Sequence, residues 1–434
     1  MHIFPRFIHT ESYKMLNING NIGTAKDNQY SPLHDWYRFT AGFSYRLVDE
    51  IISSEKLTKK DSIFECFAGC GTTLVTAQKH GIRAFGNEGQ ELLFDVIRAK
   101  LNWNISDKAI NNITEDLNSY IKRRGSKKHF DVNKLLPTLY SESNLRELCL
   151  VRDFLNTAKI SESNYLFLKL ALTQTLHKVS IHPISVPYIV RNKKLNNDKS
   201  ALDVFLDLTK KMIVDLKDFR AYNKTSEIFL HDSRLKNEVI QDGGCTSCIT
   251  SPPYLNNLDY GEVSKVCSHF FGLTDSWNDI TEKVRKKLVT GSTTHYKDAE
   301  FDIESWKSKE FYLANTKLAN ELISKSDEIL RISKGRGGKK SYNILTLFYF
   351  SDMYEVIKEI HRVLKKDKKA YLVLGDSAPY GIYINTTDIL GQLARSAGFS
   401  SFKIQKIRER GTKWKSLTHR HSLSLPENIL ILSK

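Results

Sequence analysis

Three short stretches carry residue types that could do chemistry together. The first is Thr250-Ser251-Pro252-Pro253-Tyr254, which ends a short apolar-leaning run beginning at Cys245. Neither proline has an N–H to give to a sheet, and each biases the residue before it towards extended geometry. The stretch therefore reads as a stiff loop at the C-terminal end of a buried strand, presenting backbone carbonyls, the Ser251 hydroxyl and the Tyr254 ring. Such a loop can hydrogen-bond a planar amino group and stack on the ring that bears it. Read in isolation, it is equally a plain strand-ending turn.

The second stretch is Phe67-Ala68-Gly69-Cys70-Gly71, and the third is the acid Glu88. A strand over 63–66, the glycine turn, a helix from Thr72 to about His80 and a second strand over 83–87 make a β-α-β unit. Glycines in the first turn let the backbone approach a ligand, and an acid ending the second strand can take two ribose hydroxyls. The turn carries G-x-G only, because position 74 is Leu. By itself the unit fits either a dinucleotide fold or a methyl-donor fold.

The elements that must position these residues follow from the pattern of the chain. Residues 1–30 read as a loose arm, and Ser44 is placed to cap a helix bearing Phe43, Leu47, Ile51 and Ile52. Residues 105–226 read as an inserted helical block, with helices over 105–124, 144–158, 163–178 and from a Ser200 cap to about Tyr222. A strand over 227–231 leads to Asp232 and Ser233. A second insertion spans 261–345 and closes in a lysine- and glycine-rich run. Ser351 is expected to cap a helix with Met353, Val356, Ile357, Ile360, Val363 and Leu364 on one stripe. The KKDKK run at 365–369 reads as a solvated turn before a strand over 370–375. A helix over 386–396 and two final strands, 401–408 and 428–433, complete the pattern. Alternating strands and helices call for an α/β fold, a doubly wound and mostly parallel sheet with an antiparallel edge hairpin.

Composition narrows the class. The chain has 434 residues, 41% hydrophobic and 26% charged, with 65 Lys plus Arg against 49 Asp plus Glu, a net charge of +16. That excess favours a polyanionic partner, nucleic acid first. Six cysteines in a chain this long do not form a disulfide framework. The pairs Cys66/Cys70 and Cys245/Cys248 lie in or beside strands, and His419 and His421 sit in a basic loop, so no metal site is expected. No run reaches membrane-span length and the N-terminus lacks a secretory core, so the protein is expected to be soluble and cytoplasmic.

In order along the chain, HDWYRFTAGFS, FECFAGCGTT, HDSRL, TSPPY and IHRVLKKDKKAYLVLGDS resemble the motifs of the S-adenosylmethionine-dependent amino-methyltransferases that act on DNA bases. The matches cover most of residues 34–104 and 227–434. Glu65 and Cys66 stand where the family usually has Asp and Pro. The resemblance implies S-adenosyl-L-methionine as cofactor and double-stranded DNA as partner, with a cognate restriction endonuclease alongside. It implies a donor site of Tyr37, Thr40, Glu65, Phe67, Ala68, Gly69, Gly71, Thr72, Glu88, Asp232 and Ser233. Within it, Glu88 would take the ribose hydroxyls, Asp232 the adenine amino group, and Tyr37 and Thr40 the donor carboxylate. The catalytic set would be Ser251, Pro252, Pro253 and Tyr254, with Ser251 and the Pro252 carbonyl accepting from the target amino group. Asp259 and Tyr260 are candidates for the same pocket. Basic residues Lys334, Arg336, Lys339 and Lys340, and Arg410, Lys413 and Lys415, would contact DNA. The serine form of TSPPY is typical of cytosine-N4 enzymes. Adenine-N6 methylation, RNA methylation and a silent nucleic-acid binder are the alternatives.

Overall fold

Strand β1 (Ser62–Glu65) is buried along its whole length, as is β4 (Cys245–Thr250), its neighbour in space. Strands covered on both faces cannot show the in–out alternation of a half-exposed strand, so β4 tolerates Cys, Thr, Ser, Cys, Ile, Thr in succession. The structure, a computed structural model, describes Leu16 and residues 22–124, 130–184, 188–334, 341–410 and 423–434. With β2 (Arg83–Glu88), β3 (Ser226–Leu230), β5 (Leu364–Gly375), β6 (Ser401–Arg410) and β7 (Leu425–Ser433) these strands form one sheet of order β3-β2-β1-β4-β5-β7-β6. The first five are parallel in register, for example Phe64↔Phe85 and Ile63↔Ser247. β7 runs antiparallel to both β5 and β6. The α/β expectation therefore holds. The antiparallel pair lies at the edge, with β7 slotted inside and β6 outermost.

Alternate residues of each strand feed two separate cores. Ile63, Ala84, Ile249 and Tyr371 join one, and Phe64, Phe85, Cys248 and Leu372 the other. The first core is roofed by α1 (Tyr45–Ser54), α2 (Thr72–Lys79) and α3 (Glu91–Leu101), with Ser44 capping α1 by accepting the Arg46 N–H. The helical insertion, α4 (Asp107–Arg124), α5 (Glu142–Thr157), α6 (Glu162–Val179) and α7 (Ala201–Leu216), packs on this layer through α3 and the segment at Asp35–Tyr37. Its apolar residues belong to the same continuous core, and Lys169 of α6 pairs with Asp95 of α3 at 2.6 Å. The insertion is thus a further layer of the sheet domain.

The second insertion contributes five short helices, α8 (Tyr260–Val263), α9 (Lys265–Phe270), α10 (Trp277–Lys283), α11 (Ile303–Lys307) and α12 (Glu310–Ala314), then α13 (Thr316–Ser333). α13 packs with α14 (Tyr342–Val363) and α15 (Thr386–Ser396) on the opposite face. Ser351 lies inside α14, donating back to the Phe348 carbonyl, because the apolar run before it extends the buried stripe by more than two turns. The KKDKK run is the first half of β5, with Asp367 at φ +59° and a register shift against β4. Where described, the N-terminal arm is anchored. The amide of Gln405 on β6 bonds both the N–H and the C=O of Leu16, as a neighbouring strand would. Asn28 is buried against Phe43 and Thr72.

Candidate active site

The chain leaves β1 towards β2 on one side and returns to β4 on the other, so a crevice opens beyond the carboxyl ends of β1 and β4. The glycine turn fills one side of it. Gly69 and Gly71 hold φ of +56° and +85°, where side chains are strained, and a Cβ on Gly71 would press on Ile97 at 3.2 Å. The turn is tied from behind. Glu65 accepts the Phe67 N–H at 3.0 Å and the Thr73 hydroxyl at 2.8 Å, and the fully buried Lys100 donates to the Cys70 carbonyl at 3.2 Å. Burial pushes the Glu65 carboxyl up to about 8. At the end of β2, Glu88 accepts the Gly69 and Gln90 N–H groups at 2.8 and 2.9 Å, and burial pushes it up to about 7.

These groups border a cavity that includes Phe39, Phe67, Ala68, Gly69, Thr72, Glu88, Leu93, His231 and Ser233, and is closed on one side by Lys287, Leu288 and Val289. The closing segment is pinned by buried charge. Arg285 pairs with Asp259 at 2.6 Å and lies 4.0 Å over the Trp277 ring, while Asp352 accepts from Thr290 at 2.8 and 2.9 Å.

A second cavity of about 400 Å³ lies beyond the TSPPY loop. The arm (residues 23–25), Thr40, Tyr254, Asn257, Arg408, Arg410 and Glu427 wall it. Ala41, Gly42, Ser251 and Tyr260 line both cavities, so the two meet at these residues, where Ser251 carries a hydroxyl. That hydroxyl spends its proton on the Val373 carbonyl of β5 at 3.1 Å, which leaves its lone pairs as the groups it can offer a ligand. The Pro253 carbonyl is fixed by the Tyr349 hydroxyl at 2.9 Å. Tyr254 donates to buried Glu427 at 3.0 Å, and Arg408 pairs with the other oxygen of that carboxylate.

Several expected residues fall elsewhere. Tyr37 is buried against His177 of α6, away from both cavities, because the helical insertion covers that segment. Thr40 borders the second cavity instead of the first. Glu65 and Gly71 shape the glycine turn from behind without lining the first cavity. Asp232 is likewise outside it. Its carboxylate is taken by Arg234 at 2.6 Å, and its neighbours His231 and Ser233 face the space. Pro252 is buried and lines neither cavity. Asp259 is committed to Arg285, whereas Tyr260 stands at the junction. Of the residues expected to meet DNA, Lys334 is exposed at the end of α13 and Arg410 turns into the second cavity. Arg336, Lys339, Lys340, Lys413 and Lys415 lie outside the described residues. Sequence reasoning missed Phe39, Leu93, His231, the 287–289 segment, Arg408 and Glu427. For His231 the signal was its place beside Asp232; for Glu427 no motif marks it. Among the described residues no group of three His, Cys, Asp or Glu side chains could hold a metal ion, and no helix is long and apolar enough to cross a membrane.

No family model matches the chain. It is similar to the Type II methyltransferase M.BsoBI of Geobacillus stearothermophilus, 22% identical over 452 residues that cover 94% of this chain and 87% of that one. It is also similar to the Type II methyltransferases M.AvaI of a Nostoc species and of Anabaena variabilis. Each is 23% identical over 416 residues, 89% of this chain and 83% of the relative. In the first comparison the uncovered share of this chain is smaller than either insertion, so the matched span takes in most of both.

Proposed function

We propose that this chain is a site-specific DNA methyltransferase of a restriction–modification system, transferring a methyl group from S-adenosyl-L-methionine to the N4 amino group of cytosine. The observation that carries the reading is the meeting of two cavities at Ser251 and Tyr260, one beside a ribose-type acid and a glycine turn, the other beside TSPPY. The names of the relatives and the serine form of the loop support it.

The first cavity suits the donor. The positive-φ glycine lets backbone come close, the Glu88 carboxylate keeps free lone pairs for two hydroxyls, and Leu288 and Val289 offer apolar cover to a purine. When bound, S-adenosylmethionine supplies an electrophilic methyl group on a sulfonium. The chain supplies position and polarity. Ser251, its own proton held by Val373, accepts a hydrogen bond from the target amino group and draws that nitrogen towards tetrahedral geometry, which frees the ring-conjugated lone pair. Holding the two reactants together across one junction would lower the entropic part of the barrier. The target atom lies within the duplex, so the base must swing into the second cavity, where Tyr254 is fixed at its hydroxyl by Glu427.

Incubating the purified chain with labelled S-adenosylmethionine and DNA, followed by mass spectrometry of the nucleosides, tests this directly. N4-methylcytosine is the expected product. N6-methyladenine would overturn the base assignment, and no label in any DNA would overturn the transfer itself. Ser251→Ala is expected to lower kcat by on the order of 10² with donor affinity unchanged.

A further inference from the structure

One cation in the second cavity has partners that do not account for it. Arg410, the last residue of β6, turns its guanidinium inward, where Nη2 donates to the Asp376 carbonyl at 2.6 Å. Its central carbon lies 4.9 Å from the centre of the Tyr254 ring. The group also lies against the backbone of Gly375, where a Cβ would come within 2.3 Å of Nη2 and push the guanidinium aside. Its Nε–H is buried and has no hydrogen-bond partner among the described residues. The nearby Glu427 carboxylate holds Tyr254 and Arg408 and takes no hydrogen bond from the Arg410 Nε–H. A buried N–H left unpaired is costly, and it is satisfied by water or by an acceptor that a ligand brings.

The position of Ser251 says what that acceptor is. A base whose amino group bonds Ser251 turns the rest of its Watson–Crick edge into the second cavity. In cytosine that edge continues with a ring nitrogen and a 2-carbonyl, both acceptors. In adenine it continues with a ring nitrogen and then a C–H. We propose that Arg410 is a specificity-determining residue of this cavity, donating guanidinium N–H to the 2-carbonyl of the target base and so selecting cytosine over adenine. The inference rests on the reading of the second cavity as the seat of the methyl acceptor. Tyr254 and Gly375 restrain the guanidinium, and a site built to hydrogen-bond a polar group rejects the analogue that lacks it.

The test uses the full chain and duplexes containing its mapped target. The target position carries cytosine or the 2-aminopyridine C-nucleoside, which keeps the amino group and adjacent ring nitrogen but has C–H in place of the 2-carbonyl. Wild type is expected to lose about 10- to 100-fold in kcat/KM on the analogue, the range of one charge-assisted hydrogen bond. Arg410→Ala is expected to lose a similar factor on cytosine and nothing further on the analogue. Equal rates of wild type on both duplexes, or the same loss by Arg410→Ala on both, would overturn the proposal. The wild-type comparison needs no variant to fold, and Arg410→Lys, which keeps the cation, gives a second. Fluorescence anisotropy on the same duplexes with the target mispaired separates the two readings. Carbonyl-dependent binding without methyl transfer keeps Arg410 and removes the methyltransferase reading. Methyl transfer without carbonyl dependence removes Arg410 alone.

Discussion

With the first cavity as the proposed donor site, Glu88 is expected to make donor binding a titration. Its carboxyl is buried, accepts two backbone N–H groups and sits at about 7, against an ordinary value of 4.5. Only the carboxylate can accept from two ribose hydroxyls while holding Gly69 and Gln90. Affinity for S-adenosylmethionine is therefore expected to be level above pH ~8 and to fall towards tenfold per unit below pH ~7, since one unit is about 1.4 kcal/mol. Calorimetric titration at pH 8, 7, 6 and 5 reads the slope. Glu88→Gln is the control: it removes the titrating group, so it reports any ionisation of the ligand itself. It is also expected to weaken binding at pH 8 by about 10- to 100-fold, the loss of charge-assisted hydrogen bonds. The ligand-free chain should move the opposite way. Between about 4.5 and 7 the native state holds more protons at Glu88 than the unfolded state, so its contribution to stability falls as pH rises through that window. A wild-type affinity flat from pH 8 to 5, or the same slope in Glu88→Gln, would refute the assignment of Glu88 to the donor.

Three further outcomes follow from geometry. Gly71→Ala puts a side chain at φ +85° against Ile97 and is expected to destabilise the chain by about 1–3 kcal/mol, read as a lowered Tm; an unchanged Tm would mean the turn relaxes freely. Arg285→Ala strands the buried Asp259 carboxylate and is expected to cost about 3–5 kcal/mol in urea denaturation, with a loss below about 1 kcal/mol counting against the clamp on the 287–289 segment. Tyr254→Phe and Glu427→Gln disturb one hydrogen bond from its two ends. Their effects on KM for DNA should be less than additive, with coupling of about 0.5–3 kcal/mol and donor affinity untouched, and simple additivity would separate the two residues.

What the sequence made legible was local. The glycine turn, the acid after β2 and the two prolines after β4 announce themselves because each is the nearly obligatory residue for a backbone event at that point. The mostly parallel sheet with its antiparallel edge follows from strands alternating with helices, while the strand order is seen only in the fold. What stayed hidden depends on distant segments. Glu427 looks like an ordinary edge-strand acid until β7 is slotted beside β5 and brought under Tyr254. Asp232 follows the strand end as expected, yet Arg234, two residues on, captures it. The resemblance of its motif places Tyr37 at the donor carboxylate, and only the stacking of α6 shows that it is buried in the core. The misread start of α14 has a local cause: a serine within a deeply buried helix looks like a cap when its upstream apolar neighbours are assigned elsewhere.

The place of β4 has a consequence for how the chain is made. β4 forms the seam between β1 and β5, yet it is separated from β1 by the entire helical insertion. A ribosome extends the chain by about 5–20 residues per second, so β1 and β2 wait for on the order of ten seconds or more before β3 and β4 emerge. During that interval α6, buried on nearly all sides in the finished fold, has α3, the Trp36–Tyr37 segment and its own insertion neighbours to cover it. The helical layer is thus the nascent chain's first shelter, and the sheet's central seam closes late. Slow codons between α7 and β4 would prolong the exposure of the β1 edge, and an unpaired strand edge is prone to aggregation.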